Sequence, residues 1–496
     1  MRKARLYALI IFSAFTLRTP CAGASEHRAA ELIMKWQLCA ATRLMENLDP
    51  SDELMGIYSF YSGDYKQAFT LLEGSGSAFE LLAAETKAAA SGFSELRDGY
   101  FVIRFTGRDH MIAARLGKIM NSAAEKLHET FDWRPQRPVI VEIYPDRDSF
   151  RAASTLSEQQ IRVSGAVGIC KFNRIMILSP GALMFGYRWP STAVHEYVHY
   201  IVGKTAGGPQ NVPLWLNEGL AKRFEEIWSG EGGLTPAEKN YLIRTSRSDS
   251  WICLERMRYG MPTLETSQEV RLAFAQVHSM VRFLEDTRGR DKFPMLLRKF
   301  EKSDAESALM GVYGSNAGDI LDEWSEYIKR KGLDYTPGAS SPSFAFSDDP
   351  ASAATEWMAE AAAAEARIAG MFERRGSYRA AERKYKDALS RNPGCSVILT
   401  SLARVQKAIG EKGFAEINLK KAVMSNPSYP PPYIRLAKLF AEKGDYARAL
   451  RYADEYTYYM PYNPEAYNII RSAAEREGLA DRVTSAEEAI RFLNAR

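Results

Sequence analysis

Histidine is scarce in this chain, with six in 496 residues, and cysteine is scarcer, with five. No two cysteines form a C-x-x-C pair, which excludes a zinc-ribbon or thioredoxin-type motif. Cys39, Cys170, Cys253 and Cys395 are scattered, and each reads as a buried single thiol. An excess of one charge is lacking too, with 65 Lys and Arg against 61 Asp and Glu. Residues 1 to 24 hold Arg2, Lys3, Arg5 and Arg18 and no acid, so the remainder balances. No basic patch or tail stands out, which argues against a nucleic-acid partner. After the N-terminus no apolar run approaches the ~20 residues of a spanning helix, so the mature chain is expected to have no transmembrane span.

The N-terminus reads as a targeting segment. Three cations precede an apolar stretch from Leu6 to Leu17, and Ala22-Gly23-Ala24 is a small-x-small cleavage site. The pattern predicts a signal peptide over residues 1–24, cleaved after Ala24, and export to a bacterial periplasm or beyond the cell. Arg18-Thr19-Pro20 makes a poor lipobox, so a lipid anchor on Cys21 is not expected.

Against this scarcity, two of the six histidines fall in one short run, His195 to His199, reading HEYVH. Residues four apart on a helix share a face, so His195 and His199 can offer two imidazoles to one ion. Glu196 sits where it can reach a water on that ion, the arrangement of a zinc-dependent hydrolase. Chance matches to H-E-x-x-H are on the order of 0.005 in a chain of this make-up. Ser191 is placed to cap the helix, and Gly203 to end it.

Two histidines leave a ligand to find, since zinc in hydrolases usually has three protein ligands and a water. A third His six residues on is excluded, because Thr205 stands there. The other option is a Glu on a following helix. Asn211 to Trp228 reads NVPLWLNEGLAKRFEEIW, with Leu216, Leu220 and Phe224 as an apolar stripe, and Glu218 lies on it after 18 intervening residues. With Glu225 and Glu226 nearby, Glu218 could by itself be only a surface carboxylate, but its spacing and its place among apolar residues favour the ligand role, and Glu225→Ala is expected to leave metal binding unchanged.

Other segments place this helix pair in a larger plan. Ser25 to about Leu96 has helical periodicity, with a helix-turn-helix over Met55 to Leu72 that turns at Gly63-Asp64. Phe101 to Phe105, Val139 to Tyr144, Ala166 to Ile169 and Arg174 to Leu178 read as strands, and Met111 to Phe131 as an amphipathic helix. Strands followed by helices predict an α+β domain, a mixed sheet plus the metal-binding helices, over residues 98–332. Residues 25–97 form an N-terminal helical region, and residues 333–355 a Pro- and Ser-rich linker. From there to residue 496 the chain repeats. Gly376, Gly410, Gly444 and Gly478 are 34 apart, as are Ala381, Ala415 and Ala449, and Pro393, Pro427 and Pro461.

That period, with small residues at helix crossings and Pro at unit ends, resembles the tetratricopeptide repeat and implies an all-α solenoid that binds a protein partner. Met55 to Leu72 looks like one further unit. The run Trp215 to Ala221, WLNEGLA, resembles the gluzincins, the thermolysin-like and aminopeptidase branch of zinc peptidases. VEIYPD from Val141, ILSP from Ile177 and HEYVHY from His195 narrow the likeness to peptidase-MA-like gluzincin domains. It implies one zinc held by His195, His199 and Glu218, Glu196 as general base, and peptide or protein as substrate. Lys222 stands where thermolysin-like members carry an acid that orients one His, so another group must do that work. The donor for the tetrahedral oxyanion is open among His278, Tyr187, Tyr241 and Tyr259, with Phe274 lacking a hydroxyl. Arg174 to Leu178 is expected to be the strand that pairs with substrate. No G-x-M-E-N precedes His195, which favours an endopeptidase. The rival function is a repeat scaffold whose peptidase-like domain only binds.

Overall fold

The computed structural model describes residues 23–230, 232–258, 260–261, 264–339 and 358–495. The leader reading up to residue 22, and most of the linker, lie outside these. The described parts of Met1–Ser179, Pro190–Gly233 and Trp251–Lys331 form one compact unit; those of Pro180–Trp189, Leu234–Ser250 and Gly332–Arg496 form a second.

In the first unit the described residues begin with five helices: α1 (Ala24–Met34), α2 (Leu38–Met45), α3 (Asp52–Tyr61), α4 (Tyr65–Leu72) and α5 (Ala78–Ala89). Ser51 caps α3 and Asp64 caps α4 with their side-chain oxygens. Between them Gly63 turns the chain at φ +85°, where a Cβ would meet Ile140 Cδ1 at 2.5 Å. A five-stranded mixed sheet follows, in the order β1-β2-β3-β5-β4. Its strands are β1 (Ser94–Asp98), β2 (Phe101–Phe105), β3 (Val139–Tyr144), β4 (Gly168–Lys171) and β5 (Arg174–Leu178). The β2–β3 and β3–β5 pairs are parallel, whereas β1 and β4 join antiparallel at the two edges. β1 replaces the end of the expected N-terminal helical stretch. Its sequence SELRD is mostly exposed and carries no apolar alternation to announce it. The β4–β5 hairpin turns through Phe172 and Asn173, both at positive φ (53° and 63°), as a two-residue primed turn requires.

The long helix α6 (His110–Phe131) links β2 to β3 and buries Ile112, Leu116, Met120, Ala123 and Leu127. After α7 (Arg147–Ser154) and α8 (Glu158–Ser164) come the two helices of the HEYVH and NEGLA runs, α9 (Trp189–Thr205) and α10 (Leu214–Phe224). The α9 helix begins two residues before the expected cap. Ser191 lies inside it and donates its hydroxyl to Glu226 Oε1 at 2.6 Å. It also runs past Gly203 to Thr205. Helix α11 (Pro236–Ser248) belongs to the second unit, and α12 (Ser267–Arg288), α13 (Lys292–Phe300), α14 (Ala305–Tyr313) and α15 (Ala317–Lys331) complete the first.

Among the described residues the second unit is built on four helix pairs: α16 (Glu360–Arg374) with α17 (Tyr378–Arg391), α18 (Ser396–Ala408) with α19 (Lys412–Ser425), α20 (Pro431–Glu442) with α21 (Tyr446–Thr457), and α22 (Pro464–Arg476) with α23 (Ala480–Asn494). Each pair turns at one of the 34-spaced glycines, at φ 72°, 87°, 75° and 72°. Ala381, Ala415 and Ala449 are buried at the crossings. The irregular segment Pro180–Trp189 belongs here too. Phe185 stacks edge-on against Tyr429, Arg188 Nη1 lies 2.5 Å from Glu455 Oε2, and the Trp189 indole donates to Thr457 O at 3.3 Å. Of the cysteines, Cys395 is buried as expected, but Cys39 and Cys170 are half-buried and Cys253 is exposed; all four are free thiols. Cys253 lies in an irregular stretch with no apolar period around it, so its surroundings could not be read locally.

Candidate metal centre

Helix α9 is anchored by its apolar side. Ala193, Val194, Tyr197, Val198 and Ile201 are fully buried. The Tyr197 ring meets Phe101 of β2 edge-on at 4.9 Å, and its hydroxyl lies 2.7 Å from His128 Nε2 of α6. The opposite turn carries His195 and His199. Helix α10 lies against α12 through Gly219, where a Cβ would meet Val281 Cγ2 at 2.5 Å and Val277 O at 2.6 Å. This close approach fixes the turn that carries Glu218.

His195, His199 and Glu218 come together as a group able to hold a metal ion. The two Nε2 atoms are 3.1 Å apart, and Glu218 Oε2 is 3.6 Å from each. Zn–N and Zn–O bonds of about 2.0–2.2 Å in a tetrahedron put donors about 3.3–3.6 Å apart, so the spacing and the His/His/Glu donor set both fit zinc.

Each imidazole is aimed from behind. His199 Nδ1 lies 2.8 Å from Asn217 Oδ1, and His195 Nδ1 lies 3.0 Å from Glu225 Oε2. Donation at Nδ1 leaves each Nε2 lone pair free for an ion. The other oxygen of Glu225 takes Lys222 Nζ at 2.5 Å. Glu225, expected to stand apart from the metal-binding group, is thus bonded to one of its rings. On a helix, residue 225 lies two turns beyond 218 on nearly the same face, a spacing that could have flagged it.

The electrostatics suit a cation. Burial presses the His195 ring towards neutrality, but hydrogen bonds to Glu218 and Glu225 prevail and push its pKa up to about 10. Burial opposes ionisation of Glu218 as well, yet the His199 charge and the His195 hydrogen bond hold its carboxyl far below the usual range. Glu196 is raised by burial, more than the charges of His199 and His195 lower it.

Glu196 is 6% exposed and accepts a hydrogen bond from the Cys170 backbone on β4. Gly168 makes that approach possible: a Cβ there would meet Thr192 Cγ2 at 2.6 Å and Glu196 Oε1 at 2.9 Å. The role of Gly168 is not legible in the sequence, because a lone Gly in a short strand carries no signal of what it faces. The edge strand beside the centre is β4, with its Cys170 N–H taken by Glu196. The expected β5 is flanked by β3 and β4 and has no edge to offer. Among the oxyanion candidates, His278 is buried in α12, Tyr187 is buried and Tyr241 half-buried in the second unit, and Tyr259 lies outside the described residues.

Residues 120–330 match the model of the Peptidase MA superfamily, a span that contains the whole centre. No curated protein matches the chain. Among solved structures, the chain is similar to one in the crystal structure of the APC/C hetero-tetramer Cut9–Hcn1. That likeness has 11% identity and a TM-score of 0.26, and covers 100% of this chain and 82% of the other; it bears on neither fold nor function. The chain thus combines a stretch similar to Peptidase MA superfamily domains with a run of paired helical repeats.

Proposed function

We propose that the protein is an exported zinc-dependent peptidase of gluzincin type, acting within peptide chains, whose repeats recruit a protein partner or substrate. The observation that carries this reading is the convergence of His195, His199 and Glu218 with Glu196 beside them. Zinc bound by those three residues would polarise a scissile carbonyl and lower the pKa of a water. Glu196, fixed by the Cys170 N–H and with its proton affinity raised by burial, takes the proton of the attacking water and returns it to the leaving amine. The edge position of β4, its Cys170 N–H aside, supports a substrate strand paired through its backbone, which asks little of the side chains. The leader pattern of residues 1–24 supports export, and among the described residues no helix is long and apolar enough to cross a membrane.

Glu196→Gln tests the assignment. The change is nearly isosteric and leaves the three metal-binding groups untouched. Cleavage of a peptide library should fall ~10²–10⁴-fold, with zinc content and melting temperature unchanged. Equal cleavage by variant and parent removes Glu196 as the base. Equal binding without cleavage by either favours the scaffold reading.

A further inference from the structure

Two departures from an ordinary surface coincide in the first two helix pairs of the second unit. Residues 360–425 hold 13 Lys and Arg against 7 Asp and Glu, whereas residues 431–494 hold 9 against 10. The balance of the whole chain conceals this asymmetry. In the same half, Phe414, Ile417 and Met424 of α19 are 60%, 50% and 54% exposed, and they form one stripe at helical spacing with exposed Lys421 among them. Ala415, Leu419 and Ala422 are the buried side of the same helix. The helix is thus apolar on two sides, a pattern that belongs to helices buried all round. The repeat does not require the outer stripe. One period before and after, Ile417 corresponds to Arg383 and Arg451, both exposed, and Phe414 to Ala380 and Arg448. Large apolar side chains gathered in water mark a contact surface. The charges around α19 are unbalanced as well. Glu442 serves both Lys407, at 2.5 Å, and Lys412, at 3.4 Å; Glu416 serves both Lys420, at 2.6 Å, and Lys443. Lys421 brings the cations to five against two carboxylates.

We propose that this face of α19 docks on an anionic lipid surface, with Phe414, Ile417 and Met424 entering the acyl boundary and the lysines meeting the headgroups. Apolar tips flanked by cations are the chemistry of an interfacial helix, and each Lys near an anionic bilayer strengthens its hold. Area and shape decide against a protein occupant. Three side chains exposed by half or more offer on the order of 300 Å², well under the ~800 Å² per partner of a stable interface. They stand out from the helix, and a Cβ built on neighbouring Gly413 meets nothing within 4 Å, whereas a helix-in-groove contact seats its anchors in a hollow. The surface uses no residue of the metal centre, so it stands independently of the peptidase reading.

The test uses the full chain, with every form shown by mass spectrometry to carry the same N-terminus, so that the leader contributes equally. Vesicles are of phosphatidylcholine alone, or of phosphatidylcholine and phosphatidylglycerol in equal parts, and bound protein is read by flotation. The parent binds the mixed vesicles about tenfold or more tighter than the neutral ones. Phe414→Gln combined with Ile417→Gln weakens that binding about tenfold or more. Lys421→Gln weakens it about fivefold at low salt, and less at moderate salt as screening requires. Met310→Gln, at a methionine of α14 that is 49% exposed, stays within about twofold of the parent. Melting temperatures of all these variants match the parent, because the replaced side chains face solvent. Undiminished binding by the double variant, equal binding to neutral and anionic vesicles, or no binding by the parent overturns the proposal. Self-association in sedimentation velocity that the double variant abolishes, with vesicles ignored, overturns it in favour of a second copy of the chain.

Discussion

Replacing Glu225 separates the residues that would touch a metal from those that aim them. In the structure the Glu225 carboxylate bridges His195 Nδ1 at 3.0 Å and Lys222 Nζ at 2.5 Å. It sits outside the triangle of donor atoms but fixes the ring that supplies one corner. Glu225→Ala frees the His195 ring about its χ angles and removes the acceptor that keeps its proton on Nδ1. Partners of this kind are worth about 10–100-fold in metal affinity, or about 1.4–2.8 kcal/mol. Glu225→Gln keeps an amide oxygen within reach of Nδ1 and should lose less than Ala. Glu218→Ala deletes a donor outright and should lose more than either. The assay is zinc competition against a chromogenic chelator, with the melting temperature of the metal-free proteins as a control on folding. The expected order of affinity is parent, Glu225→Gln, Glu225→Ala, Glu218→Ala. Equal affinity of Glu225→Ala and the parent refutes the positioning role; a Glu225→Ala as weak as Glu218→Ala means that Glu225 itself is a donor.

Other expectations follow from packing and charge in the same unit. Glu142→Ala leaves Arg174 buried without its carboxylate, so chemical denaturation should show a loss of about 3–5 kcal/mol. Gly219→Ala drives a Cβ to 2.6 Å from the Val277 carbonyl, a backbone atom that cannot step aside, and should cost about 1–3 kcal/mol in the same measurement. His128 has its pKa lowered to about 4, by burial first and by Arg134 second. Its contribution to stability is therefore complete above the unfolded value of about 6.5 and is lost as pH falls through about 4. His128→Gln should flatten the stability profile across that window, and an unchanged profile would mean the ring is protonated in the folded state.

The parts of this molecule that were legible in its sequence are those with a local period. HEYVH announces itself because a four-residue spacing on one helix needs no tertiary information. The 34-residue glycines mark the four helix pairs for the same reason, since each closes its own turn. The two central strands, FVIRF and VIVEIY, are apolar enough to read alone. What is not legible depends on distant partners. Gly168 matters because Glu196 and Thr192 stand opposite it, 28 and 24 residues on. Pro180–Trp189 has no period of its own, and its bonds are to Glu455 and Thr457, some 270 residues away. The polar edge strand β1 has nothing local to distinguish it from a turn.

Arg174 shows how far such partners reach. It stands at the head of an apolar strand, and its side chain is 0% exposed, with Nε 3.2 Å from Glu142 Oε2. Glu142 is itself fully buried and is held by the Tyr144 hydroxyl at 2.8 Å, the Tyr65 hydroxyl and Arg104 Nη1 at 3.3 Å. The Phe60 and Tyr65 rings lie 4.7 and 4.8 Å from the Arg174 guanidinium. Both rings come from the α3–α4 pair, the lone repeat-like unit whose apolar face needed something to pack on. It packs on the sheet, and two of its aromatics close the cage around a cation on β5. β5 in turn pairs with β4 through Cys170 and Ile175, and Cys170 holds Glu196. The N-terminal helices thus stabilise the strand pair that positions the proposed base, which gives them a role in the chemistry without any residue at the metal centre.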